Sequence, residues 1–278
     1  MIENIDNKFF LENGYLTKEN FLENSEIKLF SKKIKEYEVN SAKSEFDDKD
    51  LVELICKNKT ITLLKNLIGN DVAFLHDLSI LKSKTSNVWS WHRDNPCRRT
   101  GFGPDWNLSE KYRVVTIIYY LCDSNVTETY LSLIKKSFLK KYRYTFSNLL
   151  RNIHLRIKNK KYFLFLRKII ERIISKKILY KAGDLLIFYT NLFHSGSAFN
   201  TNSIKNRDAI VVRYGIKGAH STNFMIYELY YRDAIERLRK TKNIDYFFSK
   251  LKNTKIFYDP FIEKKKIDNA FIPKEINN

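Results

Sequence analysis

Three residues of this chain could hold one metal ion between them. His92 and Asp94 stand two apart in Trp91-His92-Arg93-Asp94, and His194 lies in Phe193-His194-Ser195-Gly196. Two imidazoles and a carboxylate on one octahedral face are the ligand set of non-haem Fe(II), with the other positions open to substrates and dioxygen. In an extended segment residues i and i+2 point to the same side. His92 and Asp94 can therefore chelate from the end of one strand while His194 closes the set from a second. Such a metal needs neutral imidazoles and an ionised carboxylate, so metal-dependent activity should fall at low pH. A His-x-Asp tripeptide arises by chance in many chains, and the setting of both halves is what gives this one weight.

The second half has a regular plan. Ala182-Gly183-Asp184 forms a turn into the apolar run Leu185-Leu186-Ile187-Phe188-Tyr189, a loop carries His194, and a β-branched strand runs from Arg207 to Gly215. Arg207 stands 13 residues after His194. A guanidinium fork matches a carboxylate in a bidentate, charge-assisted geometry that Lys cannot reproduce. Arg213, six residues on, shares a strand face with Arg207 and is the second candidate for such a carboxylate or for an acidic substrate. Its plain alternative is an ion pair with an acid elsewhere.

From the His-x-Asp through the distal His to the downstream Arg, the chain resembles the phytanoyl-CoA dioxygenase family of Fe(II)/2-oxoglutarate-dependent oxygenases. The opening Glu12-Asn13-Gly14-Tyr15-Leu16 leading into a helix agrees with it, and the likeness covers most of the chain apart from a central segment and the C-terminal tail. The resemblance implies that His92, Asp94 and His194 bind Fe(II), and that Arg207 holds the far carboxylate of the co-substrate 2-oxoglutarate, with Arg213 as runner-up. It also implies an α+β fold, a double-stranded β-helix (jelly-roll) core with flanking N- and C-terminal helices. Halogenating members of the wider group replace the carboxylate with a small residue. By this resemblance the presence of Asp94 implies hydroxylation, or another oxidation by the same iron chemistry, with release of succinate and CO2.

The remaining histidines carry no such expectation. His76 and Asp77 are adjacent, so on a strand they point to opposite faces, and a polar rim position is expected. His154 falls in a basic helical stretch and His220 in a loop.

At 278 residues the chain is expected to form one large domain, and an apolar content of 44% suffices for a sizeable core. No run of about 18 apolar residues is present, and the acidic start Met1-Ile2-Glu3-Asn4-Ile5-Asp6 lacks a signal-peptide core. The three cysteines, Cys56, Cys97 and Cys122, have neither metal spacing nor an even count. A reducing cytoplasmic setting is expected, with Cys97 a bystander thiol close to the His-Asp pair.

The net charge of +19 is concentrated. Between Leu131 and Ala182 there are 16 Lys or Arg and a single acid, Glu171. Within this basic insert, placed at about 131–177, Phe163, Leu166, Ile169, Ile170, Ile173 and Ile174 recur at helical spacing with cations between them. One or two amphipathic helices near the mouth of the site are expected. Three roles compete: a contact with an anionic membrane surface at the inner face, a lid steering an anionic substrate that is small or glycan- or lipid-linked, or a helical hairpin with a solvated lysine-rich face. Nucleic acid is disfavoured, because the aromatics lie at helical core spacing rather than on a strand platform. A non-catalytic protein that binds anions or membrane through the insert is the alternative of a different class, opposed by the complete set His92, Asp94, His194 and Arg207.

Helices are expected at 18–38, capped by Thr17, and at 48–68, capped by Asp47 or Asp48, and a further one at 223–252 with Tyr227, Leu229, Tyr230, Ile235 and Leu238 as packing positions. Strands are expected at 72–82, 86–92, 113–122, 178–189 and 207–215. The loop Thr100-Gly101-Phe102-Gly103-Pro104-Asp105-Trp106 is a candidate wall of the substrate pocket, and the tail from Asn253 is expected to be irregular.

Overall fold

The apolar run Val114-Val115-Thr116-Ile117-Ile118-Tyr119-Tyr120 is buried along its whole length as strand β3 (Val114–Tyr120), as an uninterrupted apolar strand should be. It pairs antiparallel with β6 (Leu185–Tyr189), Ile117 opposite Ile187, and β1 (Tyr15–Lys18) adds to the other edge of β6, Leu16 opposite Ile187. With β8 (Ala209–Ile216) and β2 (Val72–Leu81) they form a five-stranded sheet in the order β1-β6-β3-β8-β2. A second sheet of three strands, β5 (Lys176–Ile178), β4 (Thr129–Leu133) and β7 (His194–Ala198), is antiparallel throughout.

This computed structural model describes residues 5–39, 44–81, 91–94, 111–139, 144–157, 161–198, 207–226 and 234–259. The chain divides into two compact units: Met1–Asn40, Ser79–Arg98 and Val115–Val212 in one, Ser41–Leu78, Arg99–Val114 and Arg213–Asn278 in the other. Each unit is assembled from three separated stretches, so neither is a linear segment. Most of the expected strand 86–92, Cys97, the loop 100–106, positions 227–230, the side chain of Ile235 and the tail from 260 lie outside the described residues.

In the first unit, α1 (Ile5–Asn13) ends at Gly14, whose φ of +83° and contact with the Phe138 ring leave no room for a Cβ. The helix expected from 18 begins only at Asn24, as α2 (Asn24–Val39). Thr17 is not its N-cap; it sits in β1 opposite Leu186, and the next turn is held by Phe21 and Leu22 N–H groups donating to Gly183 O at 2.8 and 2.9 Å.

The basic insert elaborates the connection between two paired strands. Leu131 lies opposite Ile178 and Leu133 opposite Lys176, so residues 131–133 and 176–177 belong to the sheet and the excursion proper is 134–175. It carries α6 (Phe146–Ile157), a 3-10 turn at Lys161–Phe163, and α7 (Leu164–Ile174). The lone acid of the stretch ties the two helices together: His154 Nε2 lies 2.7 Å from Glu171 Oε1.

In the second unit the expected helix 48–68 is two. α3 (Lys49–Ile55) is capped by Asp48, whose carboxylate accepts from Asp50 and Leu51 N–H, and α4 (Asn58–Ile68) follows an extended Lys57. No Gly or Pro marks that break. α8 (Ala219–Ile226) begins just before His220, which is helical rather than in a loop, and α9 (Ala234–Arg239) and α10 (Ile244–Asn253) complete the unit. Phe46, Phe74 and Phe247 form its aromatic centre, Phe46 and Phe247 stacked at 4.7 Å. Among the described residues no helix is long and apolar enough to cross a membrane.

His76 and Asp77 are not rim residues. Both are buried, because His76 takes a left-handed φ of +55° that breaks the strand alternation. His76 Nε2 pairs with Tyr258 O at 2.7 Å, and burial pushes the imidazole down to about 4. The folded value lies below the unfolded one, so the unfolded chain binds the extra proton between about pH 6.5 and 4. Stability attributable to this ring is intact above that window and falls by ~3 kcal/mol across it. His76→Asn, which tolerates the positive φ, should lose less stability than the parent on going from pH 7 to 4.5, by roughly 2 kcal/mol in urea unfolding; equal losses would show that the ring does not titrate in this window.

Candidate metal centre

His92 and His194 face each other across an antiparallel bridge in which each N–H donates to the other's carbonyl, both at 3.0 Å. Directly opposed residues on paired strands project to the same side of the sheet, and the two rings stand 4.2 Å apart between centroids. Asp94 is brought to the same side by its own N–H, which donates to Thr190 O at 2.8 Å. Among the described residues His92 sits in this single bridge, not in a longer strand, so the chelating pair is positioned by its partner β7.

The three side chains converge. Asp94 Oδ1 lies 3.6 Å from His92 Nε2 and 3.5 Å from His194 Nε2, and one ligand atom from each residue lies within 4.8 Å of the others. Cis ligands held about 2.1 Å from a six-coordinate ion stand about 3 Å apart, so a small inward movement of the rings accommodates one. The supporting contacts fit this use. Thr116 Oγ1 donates to Asp94 Oδ2 at 3.1 Å, leaving Oδ1 to face both rings. His194 Nδ1 lies 3.1 Å from Leu192 O, which makes Nδ1 the protonated nitrogen and presents the Nε2 lone pair to the centre. His194 and Asp94 are buried and His92 is half-buried, as expected of a site with one open side.

Arg207 lies against the same strand. A Cβ added to Gly196, two residues along β7 from His194, would fall 3.0 Å from Arg207 Nη1, so the guanidinium rests on the bare backbone of this glycine. The guanidinium charge is felt by Tyr120, Tyr180 and Cys122. Burial raises the phenols of Tyr120 and Tyr180, the former strongly, and pushes the Cys122 thiol up to about 11, so all three are neutral at physiological pH. Tyr120 and Tyr180 stack in parallel at 3.6 Å. Arg207 forms no ion pair with any described residue, and its Nε is buried without a hydrogen-bond partner. Asp184, Asp208 and Asp123 also act on Tyr120 and Cys122, but none of them forms an ion pair with Arg207.

Arg213 is differently engaged. Its Nη1 donates to Asp77 Oδ2 at 2.6 Å with both side chains buried, and Arg237 approaches the other oxygen of Asp77 at 3.9 Å. The two sequence candidates for a carboxylate ligand thus separate into one committed arginine and one uncommitted. Thr116 and Gly196 were not singled out by motif. The signal for the first is the single Thr in an otherwise aliphatic and aromatic strand; for the second it is the absence of a side chain two residues after the histidine.

No protein-family model and no curated protein matches the sequence. Solved structures do share the fold. The 2-oxoglutarate-dependent epimerase SnoN from nogalamycin biosynthesis is 14% identical, with a TM-score of 0.52 over 76% of this chain and 81% of that one. HygX from Streptomyces hygroscopicus, crystallised with nickel and 2-oxoglutarate, is 13% identical, with a TM-score of 0.53 over 76% of this chain and 86% of its own. The non-haem monooxygenase ThoJ, as a nickel complex, is 11% identical at a TM-score of 0.53 over 89% and 99%. These likenesses define a mixed fold of helices and antiparallel sheet. The phytanoyl-CoA dioxygenase resemblance itself rests on the motif residues.

Proposed function

We propose that this chain is an Fe(II)/2-oxoglutarate-dependent dioxygenase of the phytanoyl-CoA dioxygenase type, and that it hydroxylates an anionic substrate. The observation that carries the reading is the combination of a convergent His92-Asp94-His194 set with Arg207, which rests against Gly196 of β7 and has no ion pair among the described residues. Neighbours of the same fold crystallised with iron, or with nickel and 2-oxoglutarate, support it, and the two antiparallel sheets would then be the layers of a double-stranded β-helix. Fe(II), 2-oxoglutarate and dioxygen, when bound, would supply the oxidation: dioxygen is the oxidant, one of its oxygen atoms ending in the hydroxylated product and the other in succinate as CO2 leaves. The chain's own residues do the rest. His92, Asp94 and His194 fix the ion, and Thr116 keeps the carboxylate turned toward it. Arg207 orients the co-substrate by its far carboxylate, and Phe188, 4.7 Å from the His194 ring, helps exclude water from the buried side.

Arg207→Lys keeps the charge and loses the fork. The expected result is a fall in 2-oxoglutarate affinity of roughly 10- to 100-fold with metal binding unchanged, read by calorimetric titration of the metal-loaded protein. An unchanged affinity would remove Arg207 from the co-substrate site.

A further inference from the structure

The α6–α7 hairpin has two apolar sides, of which the described residues cover one. On the inner side Ile170 and Ile174, with Leu150, Ile153 and Ile157, pack on Ile134, Trp91 and Phe193. Trp91 and Phe193 are the residues immediately before His92 and His194, so the hairpin is seated on the backbone that carries the metal ligands. On the outer side Phe165, Ile169 and Ile173, spaced four apart and therefore stacked along one helical stripe, are 77%, 38% and 62% exposed. Phe146 at the start of α6 is 69% exposed and Tyr162 in the connecting turn 98%. A helix apolar on both sides is ordinarily covered on both.

The charge indicates the cover. Lys168, Arg172, Lys176 and Lys177 are exposed among or next to this stripe, within a stretch whose one acid, Glu171, is paired with His154. A second copy of so basic a surface would be repelled. Nucleic acid would use the cations but has no use for the exposed isoleucines. Aromatic and aliphatic side chains interleaved with Lys and Arg on short helices fit the boundary between headgroups and acyl chains of an anionic bilayer, where both are satisfied together.

We propose that the α6–α7 hairpin docks the protein on an anionic phospholipid surface, inserting Phe165, Ile169 and Ile173 between headgroups held by Lys168 and Arg172. The docking stands on the hairpin alone. Taken with the dioxygenase reading, it makes the prime substrate an anionic amphiphile presented at that surface.

The test is sedimentation of the full chain with vesicles of phosphatidylcholine containing phosphatidylglycerol, and with phosphatidylcholine alone. The expected result is binding to the anionic vesicles only. It should weaken at least about tenfold in the double variant Phe165→Ser/Ile173→Ser, and likewise in Lys168→Glu/Arg172→Glu. All four positions are exposed, and circular dichroism confirms that each variant is folded. The 2-oxoglutarate titration proposed above, run on the same variants, should be unchanged, which separates failure of docking from failure of the enzyme reading. Folded protein that remains in the supernatant, or binding equal in parent and variants, would overturn the proposal. Displacement from the vesicles by a single-stranded oligonucleotide at lower concentration would assign the surface to nucleic acid instead.

Discussion

His194→Ala is expected to abolish 2-oxoglutarate turnover and to weaken metal binding by more than about 100-fold, since loss of supporting contacts alone costs 10–100-fold at such sites. The effect is large because His194 does two jobs. Its Nε2 is one of three converging donors, and its backbone forms both hydrogen bonds of the bridge that aligns His92. The backbone pair survives the substitution, so the protein should remain folded, with a moderate stability loss from the space left between the Phe188 and His92 rings. Metal content after Fe(II) loading and dialysis distinguishes the roles. A variant that is destabilised but still retains metal would make the cluster a structural pair of histidines with a buried acid.

The second large effect is expected at Arg213, and on stability instead of catalysis. Arg213→Met removes the cation 2.6 Å from a carboxylate that is only 1% exposed, leaving Asp77 with Arg237 at 3.9 Å. Removing one partner of a buried pair costs about 3–5 kcal/mol when the other charge loses its main compensation, and Arg237 keeps the cost here toward the lower end. Urea unfolding measures it, and the folded fraction should bind 2-oxoglutarate as the parent does. A rise in the 2-oxoglutarate dissociation constant without loss of stability would instead make Arg213 the co-substrate ligand. Replacing both residues, as Asp77→Asn/Arg213→Met, should recover part of the loss, since no unpaired charge then remains.

The contrast between Arg207 and Arg213 shows what the sequence can and cannot convey here. Period-two alternation places both on one face, but which arginine is already spent depends on Asp77, 136 residues earlier in the chain. Alternation alone assigns one of the neighbours His76 and Asp77 to the rim, and the left-handed His76 cancels that rule without any glycine to announce it. The convergence of His92, Asp94 and His194 is legible because a carboxylate and two imidazoles form a chemically restricted set, flanked by a turn, a strand and an arginine in order. β3 was equally legible, its buried run having no polar interruption except Thr116. The short strands β1, β4 and β7 were not, because four or five residues carry too little periodicity, and β5 is recognisable only through its pairing with β4. The split between α3 and α4 has no local marker at all.

On the proposed function, His92, Asp94 and His194 hold a single Fe(II), to which 2-oxoglutarate then binds beside Arg207. Anaerobic titration of the metal-free protein, first with Fe(II) and then with 2-oxoglutarate, tests it directly through the weak visible charge-transfer band of an iron-chelated 2-oxo acid. The account predicts a band that requires both additions, saturates at one iron per chain and is lost in His92→Ala. Correctly folded protein that takes up Fe(II) and 2-oxoglutarate without giving that band, or gives it equally in His92→Ala, would contradict it.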